Sequence, residues 1–599
     1  MIERWQGFLG GNQGERGAFG ATLIVLAIGV CLIFFSLGDR ALWDDEAQTA
    51  VLGRQVLQHG LPMMGPADNM PTDRADRADF NSQMVFTWNT WLPHYMVAAS
   101  FGTFGESEFA ARLPFALTGL LTLALVILVA RRMFSDKPWG ACLALLFLAL
   151  SVPFLLHVRQ CRYYSPAIVG TLWMVYGYLG RKDSARPDWR HVAAGGVVCF
   201  YSFHITAVIN GLALLLHALW RGNGQAIREL AKAGAAIVAA AVPAIIYMRL
   251  WSFPPNTGQT SSSAVSSFWV YLLWLNGFLL PLPLFLLGGF LRRIRGIWLW
   301  VLAYALFLAG AAIPSPLGSG AIAAAILMLL VTALLRARPS FHAADQTATR
   351  GEGPALARPI GPGELLVFFA ITYVAVLSVM SQYPFYRYVV PLVPLAALFT
   401  AQVILDLKQK SVALAIAATA VLIGSNAISA LPLAGVEMLT DRSGETRHQY
   451  TVLPRELWRW TTLRSDLASY LGELRGGIAD PERCVADALR TPGGSDSTIK
   501  ASYGDISLMY YAPGKRIVSR HVVGDGVPDV VIRRDPYPLQ QDAGFLKRVQ
   551  GVPYAAVELT CPNIIWSNNP DPLFHRYQLP KDAPPLVIYR RQETSSATR

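Results

Sequence analysis

A bilayer's hydrocarbon core takes about 20 consecutive apolar residues to cross as a helix, and this chain supplies such runs repeatedly. The first covers 18–37; others lie near 113–130, 139–157, 164–180, 191–204, 205–220, 233–252, 268–290, 297–313, 319–335, 364–381, 387–405 and 411–432. Charged residues make up 15% of the 599, against about 25% in ordinary soluble proteins. So few charges leave too little polar surface to coat a soluble fold of this length. The sequence reads as a polytopic α-helical membrane protein with about 13 transmembrane helices. Disordered, collagen-like and simple cytosolic classes are excluded.

The net charge of +12 is read as cytoplasmic loops obeying the positive-inside rule, with no nucleic-acid partner. Arg131, Arg132 and Lys137, then Arg181 and Lys182, then Arg221, then Arg292 and Arg293, then Arg336, then Lys408 and Lys410 close alternate spans. The opposite loops near 253–267 and 314–318 carry neither Lys nor Arg. The alternation holds if 91–104, with Pro93 and His94, lies in the interface without crossing. The N-terminus is then cytoplasmic. The loops 39–112, 156–163 and 382–386 and the tail after about 433 face outward, which in a bacterium is the periplasmic side of the inner membrane.

Two domains are expected: a membrane domain over 1–432, with its first external loop at 39–112, and a periplasmic soluble α/β domain over 433–599. In the tail, 455–475 has helical spacing. SLMYY (507–511), DVVIRR (529–534), AAVELT (555–560) and PLVIYRR (585–591) have strand character. The cytoplasmic loop 337–363 is rich in Ala, Pro and Gly. Cys31, Cys142, Cys161 and Cys199 lie in or beside apolar runs, whereas Cys484 and Cys561 are the two cysteines of the tail. A tail in an oxidising compartment predicts a Cys484–Cys561 disulfide.

Three polar features stand out on the outward side. Leu42-Trp43-Asp44-Asp45-Glu46-Ala47 puts three carboxylates just after a span, where charge is costly unless solvated or used. Asp44 or Asp45 could equally cap a helix over 46–58. His157-Val158-Arg159-Gln160-Cys161-Arg162-Tyr163-Tyr164 places two arginines against the positive-inside trend. They suit a phosphate clamp, or a salt bridge to the first-loop carboxylates. Gln382-Tyr383-Pro384-Phe385-Tyr386-Arg387-Tyr388 offers a third arginine, with Tyr386 and Tyr388 suited to an interface belt. His204 at a span end reads as a core residue. No phosphate loop, dinucleotide fingerprint or metal-ligand cluster occurs in the sequence, which argues against an ATP-driven pump. A transporter or flippase of a lipid-linked or anionic substrate is the alternative reading.

The span leading into Asp45-Glu46-Ala47, FGESEFAARLPFAL at 104–117, RQCRYY at 159–164 and YRYVVPLVPLAAL at 386–398 together resemble the GT-C membrane glycosyltransferases. The nearest in kind are glycosyltransferase family 39 (protein O-mannosyltransferase-like) and the lipid A aminoarabinose transferases, over about 1–432. The resemblance implies transfer of a sugar from a polyprenyl-phosphate carrier to an acceptor outside the cytoplasm, usually with inversion. Lipid A, another glycolipid, a polysaccharide or a protein would serve as acceptor. It also implies a catalytic carboxylate in the first loop, matched by Asp45 with Glu46 beside it. A lysine found in the aminoarabinose relatives has no counterpart in Trp88–His94. Donor-phosphate binding therefore falls to Arg159, Arg162 and Arg387, with His94 as a further candidate. Some members of the wider fold bind a divalent cation, for which Asp44 and Asp45 are the candidates.

Overall fold

The computed structural model describes residues 13–65, 68–72, 79–180, 186–250, 261–294, 296–312, 316–336, 360–380, 384–440, 458–476, 480–490, 498–518, 526–534, 549–564 and 583–592. Most of the 337–363 loop, and Gln382 and Tyr383, lie outside the described residues. Helices run in the order α1 (Gln13–Phe34), α2 (Asp44–His59), α3 (Leu92–Phe104), α4 (Glu108–Met133), α5 (Trp139–Ala149), α6 (Val152–Val158), α7 (Tyr164–Leu179), α8 (Trp189–Ser202) and α9 (His204–Arg221). They continue with α10 (Gly224–Met248), α11 (Ser261–Trp274), α12 (Leu282–Leu291), α13 (Ile297–Ala312), α14 (Pro316–Arg336), α15 (Pro362–Met380), α16 (Val393–Lys408), α17 (Val412–Gly424) and α18 (Ala427–Thr440). The tail holds α19 (Trp458–Thr461), α20 (Asp466–Arg475), α21 (Pro481–Arg490) and α22 (Asp505–Tyr511). It also holds β1 (Thr498–Ala501), β2 (Arg516–Val518), β3 (Val530–Ile532), β4 (Tyr554–Pro562) and β5 (Pro585–Arg591).

Among the described residues every apolar run of the sequence is largely helical. Among the described residues five helices are long and apolar enough to cross a membrane, or up to eight if each of three bent pairs is one span. Shorter helices, such as the 14 residues of α8, fall below that length. The bends have local causes. Between α11 and α12, which turn by 71°, a π-helical turn at Leu275–Leu279 meets Pro281 and Pro283. Asn276 there accepts from the Leu282 N–H at 3.0 Å and donates to the Ser429 carbonyl at 3.2 Å. Backbone freed by a break at membrane depth needs such partners.

The chain divides into two compact units. The membrane unit comprises Met1–Leu32, Gly119–Leu155 and Pro166–Ala468. Within it, Asp406 binds both Lys137 (3.1 Å) and Arg292 (2.6 Å), and Glu364 binds Arg221 (2.7 Å). The loop unit is assembled from three distant stretches: Ile33–Thr118, Leu156–Ser165 and Ser469–Arg599.

The loop unit has one core. Leu42, Ala47 and Val51 of the first loop, Val97 and Phe101 of α3 and Cys161 pack in the same cluster as Ile499, Ile506, Ile517, Val530 and Ile588 of the tail. The sheet order is β2-β1-β3-β5-β4. β1 pairs in parallel with β2 and β3, while β5 runs antiparallel to β3 and β4. SLMYY, expected as a strand, is instead part of α22. Asp505–Tyr510 is buried on all sides, so its sequence shows no period that separates strand from helix. The parallel β1–β2 pair requires a crossover, and Gly504, at φ 79°, turns the chain into it. The expected helix over 455–475 is two helices, α19 and α20, and the strand within 529–534 is confined to Val530–Ile532.

A disulfide joins Cys484 of α21 to Cys561 of β4, with the Cα atoms 6.3 Å apart. It closes a loop of 77 residues' separation, which in the chain-entropy account stabilises by about 4–5 kcal/mol. Non-reducing peptide mapping should recover the linked pair. Cys484→Ser should lower the melting temperature of the purified protein, and a thiol reductant should then produce no further drop. A further drop of the same size in that variant would count against the assignment.

Candidate functional site

The site grows from the first turn of α2. Trp43 holds the cap position in extended conformation (φ −78°, ψ 167°) without a side-chain cap bond, so the helix starts at Asp44. Asp44, Asp45 and Glu46 are all buried. Three adjacent buried carboxylates persist only if each has donors or a countercharge, and here each has a different one.

Glu46 is held by Arg112. The guanidinium donates to its two oxygens at 2.8 and 2.6 Å, and the Cys161 N–H adds a third bond at 2.9 Å. The remaining N–H groups of Arg112 reach the carbonyls of Leu37 (3.1 Å), Arg40 (2.8 Å) and Ala41 (2.9 Å). All five guanidinium donors are thereby satisfied. Asp44 accepts from the Gly504 N–H, the Ser507 N–H and the Ser507 hydroxyl, each at 3.2 Å. Asp45 faces a cation: its Oδ2 lies 4.0 Å from Arg162 Nε. Arg162 is itself buried and fixed by bonds to the Asp45 carbonyl (3.0 Å), Gln48 Oε1 (2.7 Å) and Thr49 Oγ1 (3.2 Å).

The segment before α2 is held by the tail. Arg483 donates to the Gly38 (3.3 Å) and Asp39 (3.0 Å) carbonyls and to Glu108 (2.7 Å). Asp480 accepts from the Ala41 N–H at 2.8 Å, and burial pushes its carboxyl above the usual range. The Tyr511 hydroxyl accepts from the Leu42 N–H (2.7 Å) and donates to Glu108 (3.0 Å). Arg112 and Glu108 lay within a segment already singled out in the sequence. Asp480, Arg483, Ser507 and Tyr511 carried no signal there, because these partners lie 375 or more residues away.

The other expected residues divide between the units. Arg159 is in the loop unit, donating to the Ser36 carbonyl at 3.2 Å. Arg387 is in the membrane unit, its guanidinium 4.1 Å from the centre of the Phe385 ring. There too, Tyr386 is buried and Tyr388 stacks on Phe203 at 5.6 Å. His94 sits at the start of α3, buried, edge-on to Phe86. Burial, and then the Arg162 cation, pull its pKa down to about 3. It is therefore a neutral imidazole at physiological pH.

A divalent cation on Asp44 and Asp45 does not fit the donor set. The Asp44 oxygens are met by N–H and O–H donors, whose dipoles oppose a cation, and Arg162 stands beside Asp45. Among the described residues no group of three or more His, Cys, Asp or Glu is placed to hold a metal ion.

Residues 89–251 match the family model described as dolichyl-phosphate-mannose-protein mannosyltransferase. Among solved structures, the chain is similar to apo ArnT from Cupriavidus metallidurans at 13% identity and TM-score 0.51, covering 96% of this chain and 98% of that one. ArnT from the same organism bound to undecaprenyl phosphate gives 13% identity and 0.49, over 95% and 98%. The Archaeoglobus fulgidus oligosaccharyltransferase gives 13% and 0.42, over 86% and 68%. No curated protein matches the chain in sequence.

The low pKa of His94 makes a pH prediction. The unfolded chain binds a proton at this histidine below about pH 6.5, whereas the folded chain does not until about pH 3. Stability is therefore lost as pH falls through that window. Between pH 6.5 and 4.5 the loss from this residue is about 2 kcal/mol, at up to about 1.4 kcal/mol per pH unit. Differential scanning fluorimetry in detergent should show a smaller acid-induced drop in melting temperature for His94→Gln than for the natural sequence. Parallel curves would refute it.

Proposed function

We propose that this chain, a membrane glycosyltransferase of the GT-C fold, moves a sugar from a polyprenyl-phosphate carrier to an acceptor at the periplasmic face of a bacterial inner membrane, with Asp45 as the proton acceptor. The observation that carries the reading is the division of labour in the first turn of α2. Asp44 and Glu46 are committed to backbone groups, Ser507 and Arg112, while the Asp45 carboxylate stands 4.0 Å from Arg162. Glu46, a candidate for chemistry on sequence grounds, becomes a support for its neighbour.

The chemistry needs no nucleotide. A hydroxyl or amine of the acceptor attacks the anomeric carbon of the donor from the face opposite the phosphate. The new bond to that carbon forms as the carbon–oxygen bond to the phosphate breaks, and the configuration inverts. The acceptor's proton passes to the Asp45 carboxylate. The carrier phosphate leaves with the electron pair, and Arg162 with Arg159 stabilises the charge that develops on it. His94, neutral and adjacent, contributes hydrogen bonding and no charge. The carrier's prenyl chain stays among membrane lipids, so the reacting phosphate remains at the surface. A glycolipid such as lipid A, a polysaccharide or a protein serves as acceptor.

The assignment of sides draws support from the loop unit. Its three stretches fall largely within the segments that the loop charges place outward, namely 39–112, 156–163 and the tail. The basic residues expected on the cytoplasmic side, such as Lys137, Arg221 and Arg292, belong to the membrane unit.

Asp45→Asn should fold normally and reduce turnover of a polyprenyl-phosphate sugar by about 10²–10⁴-fold, the usual size of a general-base contribution. Mass spectrometry of envelope glycolipids and glycoproteins, with and without the gene, should reveal the modified acceptor class. Full turnover by Asp45→Asn would remove this residue from the mechanism.

A further inference from the structure

Asp44 looks, in the sequence, like one more acid in a reactive cluster. Its surroundings describe a different task. Its Oδ2 accepts from the Gly504 N–H and its Oδ1 from the Ser507 N–H, both at 3.2 Å. The Ser507 hydroxyl has one proton to share between Asp44 Oδ1 at 3.2 Å and the Leu42 carbonyl at 2.9 Å. Asp44 and Ser507 are both almost wholly buried, at 2% and 0% exposure. The residues joined are more than 450 positions apart, so nothing in the local chain enforces the contact.

The turn involved is itself constrained. Gly504 sits at φ 79°, a conformation that strains other residues, and an added Cβ would lie 3.4 Å from Glu482 Oε1 and 3.5 Å from Arg534 Nη1. Those two groups form a buried ion pair at 2.9 Å. The turn is thus backed by fixed side chains rather than by solvent. A rigid turn gripping the residue next to Asp45 fixes where the Asp45 carboxylate stands relative to the α2 axis.

We propose that Asp44 and the tail turn Gly504–Ser507 form a positioning latch for Asp45, making the tail an obligatory part of the reaction centre. Asp44 is then a positioning residue that touches neither donor nor acceptor. This inference rests on the reading of Asp45 as the proton acceptor.

The test compares Ser507→Ala, Asp44→Asn and their double variant with Asp45→Asn, each as the full chain in detergent, assayed with a polyprenyl-phosphate sugar and checked for monodispersity and melting temperature. Small displacements at a reacting centre cost up to about 100-fold in rate. The latch predicts that Ser507→Ala and Asp44→Asn each lower kcat by about 10- to 100-fold, with KM for the donor within about twofold of the natural protein. It also predicts that the double variant is little worse than Asp44→Asn alone, because the hydroxyl bond removed by Ser507→Ala is one of the three that Asp44→Asn already disturbs. A natural kcat in folded Ser507→Ala overturns the latch, and so does a raised donor KM with kcat unchanged. Should Asp44→Asn fail to fold, Ser507→Ala decides alone. If Asp45→Asn is inactive while the latch variants are fully active, the latch fails and the catalytic reading stands. Full activity of Asp45→Asn removes the catalytic reading instead.

Discussion

The loop unit depends on one buried guanidinium. Arg112 has five N–H donors, and its partners are the two Glu46 oxygens and the carbonyls of Leu37, Arg40 and Ala41. A chain leaving a helix and turning sharply into another exposes carbonyls that find no helical donor. Here one side chain satisfies three of them and neutralises an acid. Glu46 in turn accepts from the Cys161 N–H, which ties the 156–165 stretch to the same point. Removing either member would leave the other as a buried, uncompensated charge, typically costing about 3–5 kcal/mol. The pair therefore matters less as a source of stability than as a joint that admits one arrangement of the segments around it.

Given that joint, the fate of the three carboxylates follows from their positions on α2. Successive residues on a helix point about 100° apart, so Asp44, Asp45 and Glu46 face three different neighbours. Glu46 meets Arg112, Asp44 meets the tail turn, and Asp45 meets Arg162. A lone acid at this depth would face the full cost of burial without such a framework. Surrounding it with two others that are fully bonded supplies a rigid polar lining in which it keeps one orientation.

The helices and the charged motifs were legible in the sequence; the division of roles was not. The apolar runs became helices because period and length suffice to specify them. Two of the loops grouped by their charges, 39–112 and 156–163, fall in one unit with Ser469–Arg599, whereas Pro384, Phe385 and Tyr386 fall in the membrane unit. SLMYY was misread because a short run buried all round has no period, and the decision between helix and strand came from the parallel pairing of β1 and β2. The break at Pro281, which divides one apolar run into two helices, was likewise not marked by period. Asp44, Asp45 and Glu46 stood out as a group. What separates them are Ser507, Arg162 and Arg112, at sequence distances that no local pattern reports.

The arginines against the positive-inside trend also find their physical account at this level. Arg162 is held in place by α2, because the Asp45 main chain, Gln48 and Thr49 all direct acceptors toward it. These bonds occupy Nη1, while Nε is the atom nearest the Asp45 carboxylate. A guanidinium gripped along one edge keeps its plane fixed, which a flexible ammonium would not do. Its salt bridge to Asp45 and a phosphate-binding role are therefore compatible in one residue. The bonds that hold Arg162 to α2 are the same ones that keep a permanent positive charge beside the acid, so that structural and electrostatic tasks fall on a single side chain.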